Sequence, residues 1–234
     1  MLLSDSTFIN NYGTHVVSML IQANLTVGSI SGGVFHASGR VILSILCSTF
    51  TNNVAVHHGV IYIDRESTVN ITGSTFYNNT AMMNGGILYV DHSTLNIAGS
   101  NFSDNSAGDN GGVVYLNRAL ANIHSSTVSN NHAVNTGGVS YVTGSTLTIS
   151  ETNFLNNSAV SGSVIRACDN SQVTVDSDLQ RGTDPNCALY NGDIDHYNTT
   201  YNYCSEPNDA LTSTVDLPNT MDNSTIDRNN EGKA

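Results

Sequence analysis

The strongest constraint on this chain is a repeat. Phe50-Thr51-Asn52-Asn53 recurs as Phe76-Tyr77-Asn78-Asn79, Phe102-Ser103-Asp104-Asn105, Val128-Ser129-Asn130-Asn131 and Phe154-Leu155-Asn156-Asn157, always at the same step. An alanine follows at 55, 81, 107, 133 and 159. A glycine block with an apolar run comes next: His58-Gly59-Val60-Ile61-Tyr62-Ile63, Gly85-Gly86-Ile87-Leu88-Tyr89-Val90, Gly111-Gly112-Val113-Val114-Tyr115-Leu116 and Gly137-Gly138-Val139-Ser140-Tyr141-Val142. The third block is Thr68-Val69-Asn70-Ile71, Thr94-Leu95-Asn96-Ile97, Leu120-Ala121-Asn122-Ile123, Thr146-Leu147-Thr148-Ile149 and Gln172-Val173-Thr174-Val175. A fixed period of about 26 residues is the signature of a solenoid.

Each unit holds three short runs with β-branched residues and period-two alternation, separated by Gly, Asn, Asp and Ser. No helical period is present. One such unit cannot bury its apolar side, but stacked units can, with equivalent residues superposed at the strand spacing of about 4.8 Å. The sequence therefore predicts an all-β parallel β-helix with three-strand coils of about 26 residues. Length changes fall in turns: between Phe50 and Phe76 the loop before the glycine block is one residue short, and the turn Asp64-Arg65-Glu66-Ser67 is one residue long.

The third block predicts its own orientation. Val69, Leu95, Ala121, Leu147 and Val173 should face inward with Ile71, Ile97, Ile123, Ile149 and Val175, while the intervening Thr and Asn face solvent. Phe50, Phe76, Phe102 and Phe154, with Val128 in the gap, should form an internal aromatic ladder. In the glycine-block strand both faces are largely apolar, and Arg166 in the place of Tyr favours the Tyr face as the outside. Asn53, Asn79, Asn105, Asn131 and Asn157 read as a turn ladder, because Asn tolerates left-handed backbone and stacked amides can bond to one another.

Composition fits this architecture. Of 234 residues only 7 are Lys or Arg and 19 are Asp or Glu, whereas Asn, Ser and Thr fill 83 positions. Stacking in register sets like residues directly above one another, where charges repel and amides or hydroxyls bond. The net charge of −12 argues against nucleic acid, which requires clustered cations. No apolar run is long enough for a membrane-spanning helix, so no membrane insertion by this segment is expected.

The glycine pair with two apolar residues, alternating with Phe-x-x-Asn, resembles the repeats of chlamydial polymorphic outer-membrane proteins. It is equally similar to the right-handed β-helix repeats of the pectin-lyase-like superfamily. The likeness is good over residues 48 to 176 and loose over 1 to 47, and it implies a right-handed solenoid. It leaves function open, since that superfamily includes lyases, hydrolases, adhesins and scaffolds. The membrane barrel of the bacterial adhesins has no counterpart in this sequence.

The expected organisation is a β-helix over 1–176, irregular over 1–47, then a cysteine-containing cap over 177–204 and an acidic flexible tail over 205–234. Ser6-Thr7-Phe8-Ile9-Asn10-Asn11 already matches the repeat, so the chain reads as part of a larger one truncated at its N-terminus. The stretch from Phe8 to Phe50 is longer than one unit and shorter than two, and the register there is irregular. A β-helix end needs covering, and one disulfide among Cys168, Cys187 and Cys204 would tie the cap and imply an oxidising compartment. Asn-x-Ser/Thr sequons stand at Asn24, Asn70, Asn78, Asn101, Asn156, Asn198 and Asn223, about the number that composition alone supplies.

Catalytic residues are not legible. The best acid cluster is Asp64 with Asp91 on adjacent coils near Arg65, in positions that turn formers also favour. His57, His58 and His132 show no metal spacing and no nucleophile triad. The glycine pairs lack the helix that a phosphate cradle needs, so no metal and no cofactor is expected. The reading is an extracellular or cell-surface scaffold or adhesion module, binding protein or glycan along a solenoid face without catalysis. The alternative is a polysaccharide lyase or hydrolase. An ice-binding role for the outward Thr/Asn rows ranks below both, because Leu120 and Gln172 interrupt them.

Overall fold

The computed structural model describes residues 2–4, 7–9, 12–13, 35–176, 180–183 and 187–192. These contain strands and no helix, and successive coils pair in parallel, one repeat unit apart. The chain is a parallel β-solenoid. One coil shows the plan: Thr68–Thr72 lies in the first sheet, Thr75–Tyr77 in the second, Thr80–Ala81 in the third and Leu88–Asp91 in the fourth. Across the solenoid these sheets hold seven, six, five and eight strands. The three expected strands are present; the short third sheet, which carries the alanine ladder, is additional to them.

Alternation decides what is buried. Leu43, Val69, Leu95, Ala121 and Leu147 are inside, as are Ile45, Ile71, Ile97, Ile123 and Ile149. Val173 and Val175, on the last strand of that sheet, are only partly buried. The second sheet buries Phe50, Phe76, Phe102, Val128 and Phe154. Phe50 and Phe76 stack at 4.7 Å between centroids, and Phe76 and Phe102 at 4.9 Å. The fourth sheet buries Ile61, Ile63, Leu88, Val90, Val114 and Leu116, so its tyrosines face out.

Of the two reasons expected for the asparagine ladder, amide-to-amide bonding between coils is present and the left-handed backbone is not. Positive φ occurs one residue earlier, at Asn52, Asn78, Asp104, Asn130 and Asn156. The invariant Asn53, Asn79, Asn105, Asn131 and Asn157 are buried instead. Each carboxamide from Asn79 onward accepts from the main-chain N–H and the side-chain Nδ2 of the preceding one and donates to a main-chain carbonyl, as Asn79 Nδ2 does to Phe50 O at 3.0 Å. Serines act similarly at the neighbouring turn, where the main-chain N–H of Ser48, Ser74 and Ser100 donates to Oγ of Ser74, Ser100 and Ser126.

The irregular first coil is also explained. Tyr12–Gly13 pairs with Val54–Ala55 and Phe35–Ala37 with Ile61–Ile63. Both ends of this coil are in register, so the surplus over one unit falls entirely between Gly13 and Phe35. At the other end the order reverses. Cys187–Asn191 adds to Ile165–Cys168 antiparallel, and Gln180–Thr183 adds antiparallel to that strand. The antiparallel pair covers the end of the fourth sheet. The expected tail, 205–234, lies outside the described residues.

Candidate functional site

The outer face of the fourth sheet carries the largest concentration of chemistry. Register sets Tyr62, Tyr89, Tyr115 and Tyr141 above one another, with His36 before them and Arg166 after. Tyr89 and Tyr115 stack at 4.7 Å and 8°, Tyr115 and Tyr141 at 5.0 Å and 17°. The rings are half-buried, and burial pushes the phenols of all four up from their ordinary range, helped by Asp64 and Asp91 near Tyr62 and by Asp169 near Tyr141. Polar rows flank the ladder. On one side Asn110 Nδ2 donates to Asn84 Oδ1 at 3.1 Å and Thr136 Oγ1 to Asn110 Oδ1 at 2.6 Å. On the other side Asn117 Nδ2 donates to Asp91 Oδ1 at 2.7 Å.

The cations of the solenoid gather along this face. Arg40, Arg65 and Arg118 stand in the turns leaving the fourth sheet, each with positive φ, and Arg166 lies on the sheet itself. Arg40 Nε meets Glu66 Oε2 at 2.8 Å, with both side chains mostly exposed. A shallow depression of about 450 Å³ is lined by Gly39, Arg40, Arg65, Glu66, Asp91 and His92.

Asp64 and Asp91 do occupy equivalent positions on adjacent coils, but their partners differ. Asp64 Oδ1 lies 3.2 Å from His36 Nε2, and Arg65 Nε is 4.0 Å from Oδ2. Burial alone would raise the Asp64 carboxyl; His36, a hydrogen bond from Ser38 and the charge of Arg65 outweigh it and hold the carboxyl below its ordinary range. Asp91 instead meets His92 Nδ1 at 2.9 Å. The carboxylates are thus tied to separate neighbours.

The three histidines singled out in the sequence do not converge. His57 is exposed, and His132, in the third sheet, meets Ser158 Oγ at 3.0 Å. His58 packs on the tyrosine ladder, 4.3 Å from the Tyr89 ring and 5.3 Å from the Tyr62 ring. Burial and the neighbouring His57 lower its pKa, against a smaller opposing effect of Asp91. His36 was not legible as a site residue, since it lies where the repeat register is lost; its place after the pair Gly32-Gly33, where later units carry Tyr, was the only signal. No group of three or more His, Cys, Asp or Glu among the described residues is arranged to hold a metal.

Of the sequons, Asn78, Asn101 and Asn156 are exposed on or beside the second sheet, and Asn70 lies on the outer face of the first. Asn78 Nδ2 donates to Asn52 Oδ1 at 2.7 Å, and Asn96 Nδ2 donates to Asn70 Oδ1 at 2.9 Å. Asn24, Asn198 and Asn223 lie outside the described residues, as does Cys204. Among the described residues no cysteine is free. Cys168 is the register partner of Cys187 in the antiparallel pair. Comparison of the chain with models of known families, with characterised proteins and with solved structures finds no match.

Proposed function

We infer that this chain is a non-catalytic scaffold or adhesion module of the cell surface or extracellular space, and that its binding surface is the outer face of the fourth sheet. The tyrosine ladder between two polar rows carries this reading. Half-buried aromatic rings offer apolar area at little entropic cost, and amide and hydroxyl rows supply paired donors and acceptors at a constant step along the axis. A ligand with its own linear repeat, an extended glycan before all, matches such a surface. Protein is the other ligand class that a polar aromatic face accepts.

The repeat's resemblance to pectin-lyase-like and polymorphic outer-membrane proteins agrees with an extracellular setting. So does a disulfide at Cys168, since such bonds persist mainly in oxidising compartments. A lyase or hydrolase needs two carboxylates, or a carboxylate and a base, free to face one substrate. Asp64 and Asp91 are each held by a different histidine, which favours the scaffold.

The test combines a glycan array with polyuronate and neutral-polysaccharide degradation assays on the purified chain. Binding without turnover is expected. Reproducible cleavage lost in Asp64→Asn and Asp91→Asn would replace the scaffold by the enzyme.

A further inference from the structure

The tyrosine ladder is regular from Tyr89 to Tyr141 and broken at Tyr62. Tyr62 and Tyr89 lie 5.4 Å apart with their planes at 57°, against 8° and 17° for the next two pairs. The cause is in the sequence. Asn84 is followed by Gly85 and Gly86, the first with φ +65, and Gly111 and Gly137 repeat that left-handed turn. His58, which bridges to Asn84, is followed by Gly59 alone, so the left-handed glycine is the missing residue of this coil. The His58 ring takes up the altered space, with its centroid 5.3 Å from that of Tyr62 and 4.3 Å from that of Tyr89. With 5.4 Å between the two tyrosines the three centroids form a triangle, so the imidazole lies beside the pair and not between its members.

Stacking decides which part of each ring can be reached. In the regular part of the column the ring faces cover one another, and edges and hydroxyls are left to the outside. Among the described residues no phenolic Oη of Tyr62, Tyr89, Tyr115 or Tyr141 makes a hydrogen bond, and none is a buried polar atom lacking a partner, so all four open to water. With no Trp in the chain, phenol is its most readily oxidised aromatic group. Joining two phenols through carbon requires an ortho carbon of each ring to meet edge to edge. Tyr115 is held face to face by Tyr89 and by Tyr141, so neither of those pairs offers its edges. Tyr62 differs. Register holds it one coil from Tyr89, and its plane is already rotated out of the stack.

We propose that Tyr62 and Tyr89 are a site of oxidative cross-linking, joined as dityrosine by a haem peroxidase with hydrogen peroxide. The enzyme takes one electron from each ring, and each Oη–H proton passes to water. The two phenoxyl radicals, whose spin density extends to the ortho carbons, pair through one Cε of each ring. The hydrogens on those carbons then leave as protons and the oxygens are reprotonated, which restores two phenols. In sum two C–H bonds are replaced by one C–C bond, and the two electrons and two protons released convert one peroxide into two waters. The bond staples adjacent coils where the aromatic stack between them is broken, and closing the chain between Tyr62 and Tyr89 restricts its unfolded state. The modification belongs to this pair whatever ligand the face takes.

The experiment treats the dilute, folded full chain with a haem peroxidase and limiting hydrogen peroxide. The monomer is then isolated by size-exclusion chromatography, read for dityrosine fluorescence and digested for peptide mass spectrometry. A cross-link between the Tyr62 and Tyr89 peptides is expected in the monomer, lighter than the separate peptides by the two hydrogens lost. Tyr62→Phe and Tyr89→Phe, which keep the rings and remove the phenol, should each abolish the emission. Tyr77→Phe should leave it unchanged, since Tyr77 is 46% exposed on the second sheet, away from the ladder. A monomer that stays free of dityrosine, carries it between other tyrosines or keeps it in both ladder variants would overturn the proposal, as would cross-links formed only between chains. Should a variant fail to fold, the cross-linked peptides of the wild type decide alone.

Discussion

Asn105 Oδ1 accepts two hydrogen bonds from Asn79 one coil earlier, from the main-chain N–H at 2.9 Å and from Nδ2 at 3.0 Å. Asn105 Nδ2 also donates to Phe76 O at 3.0 Å, and its own N–H donates to Asn131 Oδ1. A single carboxamide therefore satisfies main chain and side chain inside a buried turn. Asn105→Ala strips partners from several buried groups and should cost about 2 to 4 kcal/mol by chemical denaturation. A loss comparable to that of an exposed Asn, such as Asn101→Ala, would show that the ladder is not what holds the turn.

Phe102 is buried between Phe76 and Val128 in the second sheet. Phe102→Ala should destabilise by about 3 to 5 kcal/mol, the transfer loss plus an unfilled cavity. A change below about 1 kcal/mol would place the ladder on the surface.

Two glycines separate close approach from conformation. A Cβ on Gly112 would overlap the main-chain carbonyls of Gly138 and His132, one coil on, whereas a Cβ on Gly39 would meet nothing within 4 Å despite φ +85. Gly112→Ala must push adjacent coils apart and should abolish folding or lower the melting temperature far more than Gly39→Ala, whose cost is the left-handed strain of about 1 kcal/mol. Equal effects would mean that coil spacing has slack there.

The repeat made most of this architecture readable. Val69 and Ile71 faced inward on alternation alone, and the Phe ladder followed from the fixed step. The features that stayed hidden are instructive. Asn79 was recognisable as a turn residue, but a sequence cannot show that Asn78 takes the left-handed conformation while Asn79 turns its amide into the core. His36 was lost for a related reason. Its register depends on the surplus of the first coil being assigned to one loop, and only pairing with Tyr62 makes that assignment. Repetition reveals what coils share, the tyrosine ladder included, and hides residues such as His36 that stand where a coil departs from the repeat.

Alkaline pH should act through the tyrosine ladder. The phenols of Tyr62, Tyr89, Tyr115 and Tyr141 are held neutral by burial, so their folded pKa lies above the unfolded value near 10. A raised folded pKa gives stability that is complete below the unfolded pKa and lost as pH rises through the folded one. Stability should therefore fall from about pH 10 upward. Tyr115→Phe keeps the stacking and removes one titrating group, so its loss over that range should be shallower. An identical pH profile for the variant would exclude the ladder as the cause.

Chemical-shift mapping of the isotope-labelled chain against cellohexaose tests most directly whether the outer face of the fourth sheet is the working surface. Shifts should concentrate on Tyr62, Tyr89, Tyr115 and the flanking Asn84 and Asn117, with the sugar intact after prolonged incubation. Shifts confined to the outward Thr94, Asn96 and Asn122 of the first sheet, or release of shorter oligosaccharides, would contradict it.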